Sequence, residues 1–275
     1  MFDRIRVERR TGLVTYVTGG DPDLARSADI LRALDRAGAD VLEVGVPFSE
    51  PVADGPVIQR ATERALAAGA TASGVLKLVG AVRSAIRAPI VLFSYANPIL
   101  RMGVDTFGDR AKAAGVDGVL VLDLPIEEAG EFRDAMAARE IDTIFLLSPT
   151  TTDARVKQAA ELGRGFLYGI SRLGVTGARD TVAAGAETLA ARIRAVTRLP
   201  LALGFGVSRP EHVRQIGKWA DAAVVGSGLV GVIAEAGKGP ELIERVESYV
   251  RWLRGEPAVD IHDNRRAQAA DRPAR

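Results

Sequence analysis

The sequence predicts one (β/α)8 barrel, the TIM barrel, on three observations. Apolar runs of strand length alternate with segments of helical period along most of the chain. A short signature, Ala37-Gly38-Ala39-Asp40, returns as Ala114-Gly115-Val116-Asp117 and more loosely as Trp219-Ala220-Asp221, each time just before an apolar run. No shift in composition divides the chain before its last residues. Eight strands and eight main helices in strict alternation fit a closed barrel better than an open doubly wound sheet.

The first strand is Leu13–Thr18, ended by the turn Gly19-Gly20-Asp21-Pro22. Leu24, Ala28, Leu31 and Leu34 then recur at helical spacing as far as Ala37, and Gly38 offers the left-handed residue that closes such a helix. The second strand starts at Val41 and runs into a long loop, and an extra helix is expected at Thr71–Ile86. The next strand and helix pairs are Ile90–Tyr95 with Val104–Ala114, Gly118–Leu122 with Glu127–Ala138, Asp142–Leu147 with Asp153–Leu162, and Phe166–Ile170 with Glu187–Val196. Strands seven and eight are Leu201–Phe205 and Ala222–Gly226. Ser208, with Pro210 in the first turn and Glu211 three residues on, reads as a capping box that opens the seventh helix. Pro240–Leu253, the eighth, carries Leu242, Ile243, Val246, Val250 and Leu253 on one face. The barrel domain is expected over residues 1–257, and residues 258–275, polar, Arg-rich and aperiodic, read as a disordered tail.

Lys and Arg total 36 against 35 Asp and Glu, a net charge of +1, so no bulk field recruits nucleic acid or an anionic membrane. No run of about 18 apolar residues is available to span a bilayer. The start, Met1-Phe2-Asp3-Arg4-Ile5-Arg6, lacks the apolar stretch of a signal peptide, which makes the cytoplasm the expected location. Without cysteine there is no disulfide framework, thiol nucleophile or thiolate metal site, and with only His212 and His262 no histidine metal cluster is expected.

Barrels of this kind do chemistry where the C-terminal ends of the strands meet the following loops. Two groups stand out there. Gly174 and Gly177 after strand six, Gly206 after strand seven, and Gly226, Ser227 and Gly228 after strand eight predict a phosphate site, because glycines let the backbone approach an anion and N–H groups entering a helix point at it. The same glycines could serve tight turns alone. The second group is Glu43 with Asp54. Residues alternate faces along a strand, so Glu43 shares the inner side with Val41 and Gly45. A carboxyl in such a water-poor place should have a raised pKa and trade a proton near neutral pH. The alternative is a buried ion pair with a neighbouring Arg or Lys. Asp54, in the loop segment Ala53-Asp54-Gly55-Pro56, is expected to be better hydrated and ionised, although an aspartate before Gly-Pro also suits a plain turn.

The run Leu42-Glu43-Val44-Gly45-Val46-Pro47-Phe48-Ser49-Glu50-Pro51-Val52-Ala53-Asp54-Gly55-Pro56, together with Thr18–Pro22, Ser94-Tyr95-Ala96-Asn97-Pro98, Ser171-Arg172-Leu173-Gly174-Val175-Thr176-Gly177 and Gly204-Phe205-Gly206, strongly resembles the tryptophan synthase alpha chain family from about Thr11 to Gly255. The resemblance implies a phosphate-binding barrel that cleaves indole-3-glycerol phosphate to indole and glyceraldehyde 3-phosphate. It also implies that indole passes to a beta subunit carrying pyridoxal phosphate, in a heterotetramer of two alpha and two beta chains, and that the barrel itself needs no cofactor and no metal. Carried over by residue, it makes Glu43 the acid–base group and Asp54 the partner of the indole nitrogen. Tyr16, Tyr95, Tyr168, Thr176 and Phe205 fall in the substrate pocket, with Thr176 in a lid reaching Asp54. Gly177, Gly206, Gly226 and Ser227 fall on the phosphate. Glu50 stands where the family usually has Asp, in a loop that faces the beta chain, and the short charged segment before Thr11 leaves the family's N-terminal helix open. A sugar-phosphate isomerase on a related barrel would need the phosphate loops but not the Glu43 and Asp54 pair. A non-catalytic binding subunit could lose either carboxylate.

Overall fold

The computed structural model describes residues 1–170, 185–204 and 206–257. Its eight strands are β1 (Gly12–Thr18), β2 (Val41–Gly45), β3 (Ile90–Ser94), β4 (Gly118–Val121), β5 (Asp142–Leu147), β6 (Leu167–Ile170), β7 (Leu201–Gly204) and β8 (Ala222–Val225). All pair in parallel in sequence order, and β8 closes on β1. The helices are α1 (Phe2–Val7), α2 (Leu24–Arg36), α3 (Pro56–Ala67), α4 (Ala72–Val82), α5 (Ala96–Met102), α6 (Val104–Ala114), α7 (Ala129–Ala137), α8 (Asp153–Leu162), α9 (Ala186–Arg194), α10 (Pro210–Ile216), α11 (Ser227–Ala236) and α12 (Leu242–Leu253).

The expected strands and main helices are present with ends shifted by a residue or two. Gly38 follows α2 with φ +88°, the left-handed backbone its position called for. The expected extra helix is α4, prolonged by a 3-10 turn at Arg83–Ala85. Four helices are not placed individually by the sequence: α3 follows the loop that carries Asp54 and has no range there. The helices α1 and α5 are too short to show a period, and α11 follows the Gly226 turn that sequence reading assigned to phosphate. The capping box is a correction: Arg209, not Ser208, occupies the N-cap of α10, and no side chain caps that helix. Ser208 lies one residue too early, and its N–H donates to His212 Nδ1 at 3.3 Å.

Two apolar layers hold the barrel. Leu42, Val44, Leu92 and Val119 point outward against the helices, in a cluster with Leu31, Leu34, Val79 and Phe107. Val14, Val41, Val91, Leu120, Ile144, Phe166, Ala202 and Val224 fill the interior, so the barrel is a packed core below its catalytic end. Phe2 of α1 packs on Phe166 at 5.4 Å between ring centres and closes the lower mouth.

The recurring aspartate signature has a structural explanation at that lower end. Asp40 Oδ2 accepts the Leu13 N–H at 2.9 Å while the Asp40 N–H donates to the Leu13 carbonyl at 2.8 Å. Asp117 forms the same two-bond ring with Ile90, at 2.8 and 2.9 Å, and Asp221 with Leu201, at 2.8 and 2.9 Å. Each aspartate immediately precedes an even-numbered strand and pins the start of the strand before it, which satisfies N–H groups the ladder leaves open. Phe166 holds that place before β6.

Asp40 is fully buried and receives both ends of the Arg10 guanidinium at 2.7 Å, with Arg4 and Arg254 each at 3.4 Å. Burial alone would raise its pKa, but Arg10 and the Leu13 N–H together hold it below the usual carboxylate value. Asp40→Ala should therefore cost about 3 kcal/mol of unfolding free energy, near the low end for breaking a buried pair because Arg10 keeps some contact with water. Asp117→Ala should cost less, since that side chain is 47% exposed. Chemical denaturation of the two variants measures the difference, and equal losses would contradict the ranking.

Candidate active site

Glu43 projects from the middle of β2 into the barrel, in register with Tyr16 of β1 and Val91 of β3. It is 1% exposed, and neither carboxyl oxygen has a hydrogen-bond partner. The ion-pair alternative is therefore not realised among the described residues. Transferring a bare carboxylate into such surroundings is costly, so the group holds its proton instead, and burial pushes its pKa from 4.5 to about 8.

Asp54 sits in the loop between β2 and α3, half-buried. The Tyr95 hydroxyl donates to Asp54 Oδ2 at 3.1 Å and accepts from the Ala53 N–H at 3.0 Å, which fixes the loop against the end of β3. Burial raises the Asp54 pKa from 3.8 to about 6 and the Tyr95 bond opposes the rise. Asp54 is thus less hydrated than the sequence suggested, yet still ionised above about pH 6.

Both carboxyl groups open into one pocket of about 580 Å³, counting its mouth, at the C-terminal ends of the strands. Tyr16, Tyr168, Gly206, Gly226 and Ser227 line it too, so residues from five strands and their loops meet as sequence reading expected. Tyr95 does not line it and reaches it only through Asp54. Thr176, Gly177 and Phe205, with residues 172–184 of the lid expected from Arg172 to about Ala186 and the 258–275 tail, lie outside the described residues; at the lid's expected end Gly185 is the N-cap of α9 and Ala186 is buried as its first residue.

Two strand-end glycines make room for the tyrosines. A Cβ on Gly45 would overlap the Tyr16 hydroxyl, and one on Gly204 would lie 2.6 Å from the Tyr168 hydroxyl. Each phenol thus lies across the glycine of the next strand and stays off the pocket axis. Burial also raises the pKa of both, so each hydroxyl remains a proton donor. Phe93, Ile58, Ile170, Val207 and Val224 add apolar wall that sequence reading missed. Phe93 was accessible from period two, since it follows Val91 on the inner face of β3, and it meets Tyr16 edge-on with ring centres 5.2 Å apart. Ile58 had no local signal, because the face α3 turns inward depends on the loop before it.

In the same pocket Gly226 is the N-cap of α11 and Ser227 its first residue, and no side chain caps the helix. Its first-turn N–H groups and the helix dipole therefore favour an anion there. Gly206, after β7, also lines the pocket and has φ +66°, a conformation that costs a residue with a side chain about 1–2 kcal/mol.

Residues 2–254 match the family model described as tryptophan synthase alpha chain. The chain belongs to the tryptophan synthase alpha chain family. Its similarity to the tryptophan synthase alpha chain of Solibacter usitatus is 45% identity over 254 residues, covering 92% of this chain and 95% of the relative. Among solved structures, tryptophan synthase of Mycobacterium tuberculosis superposes with a TM-score of 0.86 at 37% identity, covering 94% and 96% of the two chains. A chain from the tryptophan synthase a2b2 complex of Pyrococcus furiosus gives 0.84 at 42% identity, covering 89% and 98%. As a member of the tryptophan synthase alpha chain family it is a lyase that cleaves indole-3-glycerol phosphate in tryptophan biosynthesis.

Proposed function

We propose that this pocket performs the cleavage with Glu43 as the acid–base group, Asp54 as the partner of the indole nitrogen, and the Gly206, Gly226 and Ser227 end as the phosphate subsite. The observation that carries the reading is a protonated carboxyl without a partner, buried in the same pocket as an uncapped helix N-terminus. An aromatic carbon leaves poorly until it is protonated. Glu43 gives its proton to indole C3, making an indolenine whose positive charge at nitrogen is stabilised by ionised Asp54. The Glu43 carboxylate then removes the proton of the adjacent side-chain hydroxyl. The O–H pair becomes the carbonyl of glyceraldehyde 3-phosphate, the C–C bond pair restores the indole ring, and Glu43 is protonated again. Tyr16, Tyr168 and Phe93 form the apolar wall for the indole, with Thr176, Gly177 and Phe205 assigned by resemblance to the same pocket.

In the same reading indole passes to a beta subunit that carries pyridoxal phosphate, within a heterotetramer of two alpha and two beta chains. The Pyrococcus furiosus relative is described in an a2b2 complex. Val52, in the loop that carries Asp54, is 84% exposed, and Leu100 of α5, after the neighbouring strand, is 64% exposed. Apolar side chains so placed suit a partner on the catalytic face. Mixing the chain with a beta subunit should give a sedimenting species of two alpha and two beta chains, and independent sedimentation of the two would refute the assembly.

Glu43→Gln should lower kcat about 10²–10⁴-fold, and more if the group acts twice. It should also stabilise the protein. The folded pKa of Glu43 lies above its unfolded value, so the folded state binds the extra proton and stability falls as pH rises from about 4.5 to 8. Gln escapes that loss, and its Tm advantage should grow with pH. The wild-type kcat/KM profile should be a bell, falling below about pH 6 as Asp54 protonates and above about pH 8 as Glu43 ionises. Tyr95→Phe should move the acid limb upward by removing the bond that favours ionised Asp54. A variant with a tenth of wild-type activity, or a profile flat across both limits, would sink these assignments.

Ser227→Asp puts a carboxylate where the phosphate would sit and should raise KM at least tenfold with a smaller effect on kcat, because the phosphate is remote from the bond broken. Unchanged affinity for glycerol 3-phosphate in that variant would refute the subsite. Substitution at Gly206 is a poorer probe, since its positive φ would mix backbone strain with lost binding.

A further inference from the structure

The phosphate end is assembled from two separate elements, the loop from β7 to α10 and the first turn of α11, and an anion can be shared only if their N–H groups converge. What sets their separation lies outside the pocket. Tyr249, on α12, reaches between them. Its hydroxyl donates to the Ser208 carbonyl at 3.2 Å, in the loop after Gly206. The Ser208 N–H is held in turn by His212 Nδ1 at 3.3 Å, so the peptide groups on both sides of this residue are fixed. On the other side, the same hydroxyl oxygen fills the space next to Gly228, the second residue of α11, where an added Cβ would collide with it. The Val207 carbonyl lies 3.3 Å from that same Cβ position, so loop and helix are in close contact there as well. The Tyr249 ring rests on Trp252, with centres 5.8 Å apart, which seats it independently of the hydroxyl.

We propose that Tyr249 is the positioning residue of the phosphate end: its hydroxyl, wedged between Ser208 and Gly228, holds the β7–α10 loop and the start of α11 at the spacing at which both offer N–H groups to one phosphate. The proposal rests on the phosphate reading above and adds the element that enforces it. Tyr249 does not line the pocket, so its removal acts on binding of the phosphorylated substrate rather than on the proton transfers at Glu43. The gap beside Gly228 belongs to the same device, because any side chain there competes with the hydroxyl for one space.

Three variants test this. Tyr249→Phe keeps the ring on Trp252 and removes only the hydroxyl. The KM for indole-3-glycerol phosphate and the Kd for glycerol 3-phosphate should both rise about 3–10-fold, the worth of one hydrogen bond, while kcat stays within about twofold. Gly228→Ala pushes against the Tyr249 oxygen and should raise the same two constants. In Tyr249→Phe/Gly228→Ala that oxygen is gone, so the combined rise should be smaller than the product of the single effects. Ser227→Asp serves as the reference for the subsite itself. If Ser227→Asp loses glycerol 3-phosphate while Tyr249→Phe binds it as tightly as wild type, the positioning role is overturned and the phosphate reading stands. Should Ser227→Asp also bind it normally, the phosphate reading fails and takes the proposal with it. A Tyr249→Phe protein whose Tm falls while KM and Kd hold marks the hydroxyl as merely structural and overturns the proposal. Multiplicative effects in the double variant would do the same, and if Tyr249→Phe does not fold, an unchanged KM in Gly228→Ala overturns it alone.

Discussion

A carboxyl group with no partner has to remain inside the barrel, and much of the upper half of the molecule is consistent with meeting that requirement. Glu43 gains no hydrogen bond, and its ionised form is disfavoured by its surroundings. An Arg or Lys in reach would relieve this and, by the same act, would pull its pKa back toward that of an exposed glutamate. The neighbouring inner positions are instead valine, glycine and aromatic residues. Tyr16 and Tyr168 bring hydroxyl groups into the pocket but lay them over Gly45 and Gly204, neither within bonding distance of Glu43. A group kept in this state opposes folding once the pH exceeds its unfolded pKa, so its retention is easier to understand as a requirement of chemistry than of stability.

Charge is handled in the opposite way at the other end of the barrel. Asp40, Asp117 and Asp221 are each paired with a strand N–H, and two of them also hold arginines: Arg10, just after α1, and Arg254, just after α12, for Asp40, and Arg6 of α1 and Arg194 of α9 for Asp221. All three carboxylates are hydrogen-bonded, and the arginines and strand N–H groups hold Asp40 and Asp221 below the usual carboxylate pKa. The upper pair, Glu43 and Asp54, lie above theirs. These five acidic residues thus separate by environment into three that tie strands together at one end and two whose burial raises their pKa at the other, in keeping with the division of such barrels into a stability face and a catalytic face.

Asp54 and the proposed phosphate end depend on neighbours more than on their own sequence. The Asp54 carboxylate is oriented by Tyr95, a residue from the next strand that does not itself enter the pocket. The α11 N-terminus is backed by α12, and the β7–α10 loop is tied to that same helix through Tyr249. Long-range contacts of this kind let loops of small residues behave as fixed parts of a site.

The sequence by itself determined the barrel, the order of its strands, and the inner face on which Glu43 stands, because periods of two and 3.6 residues are local properties that survive without knowledge of the fold. It also marked the glycine-rich turns after the last strands and, through the aspartate signature, a repeated unit whose meaning was not evident. Tertiary structure decided the rest. That Asp40, Asp117 and Asp221 clamp the start of the preceding strand required knowing which strands are neighbours. The reading of Ser208 as an N-cap failed because its backbone is engaged by His212 and Tyr249, contacts 4 and 41 residues away that local capping rules cannot register. Whether Glu43 would meet a cation, how far Asp54 would be dehydrated, and which wall residues would surround them depended on side chains brought together from separate strands. Burial and electrostatic environment are sums over such distant neighbours, and no window of sequence contains them.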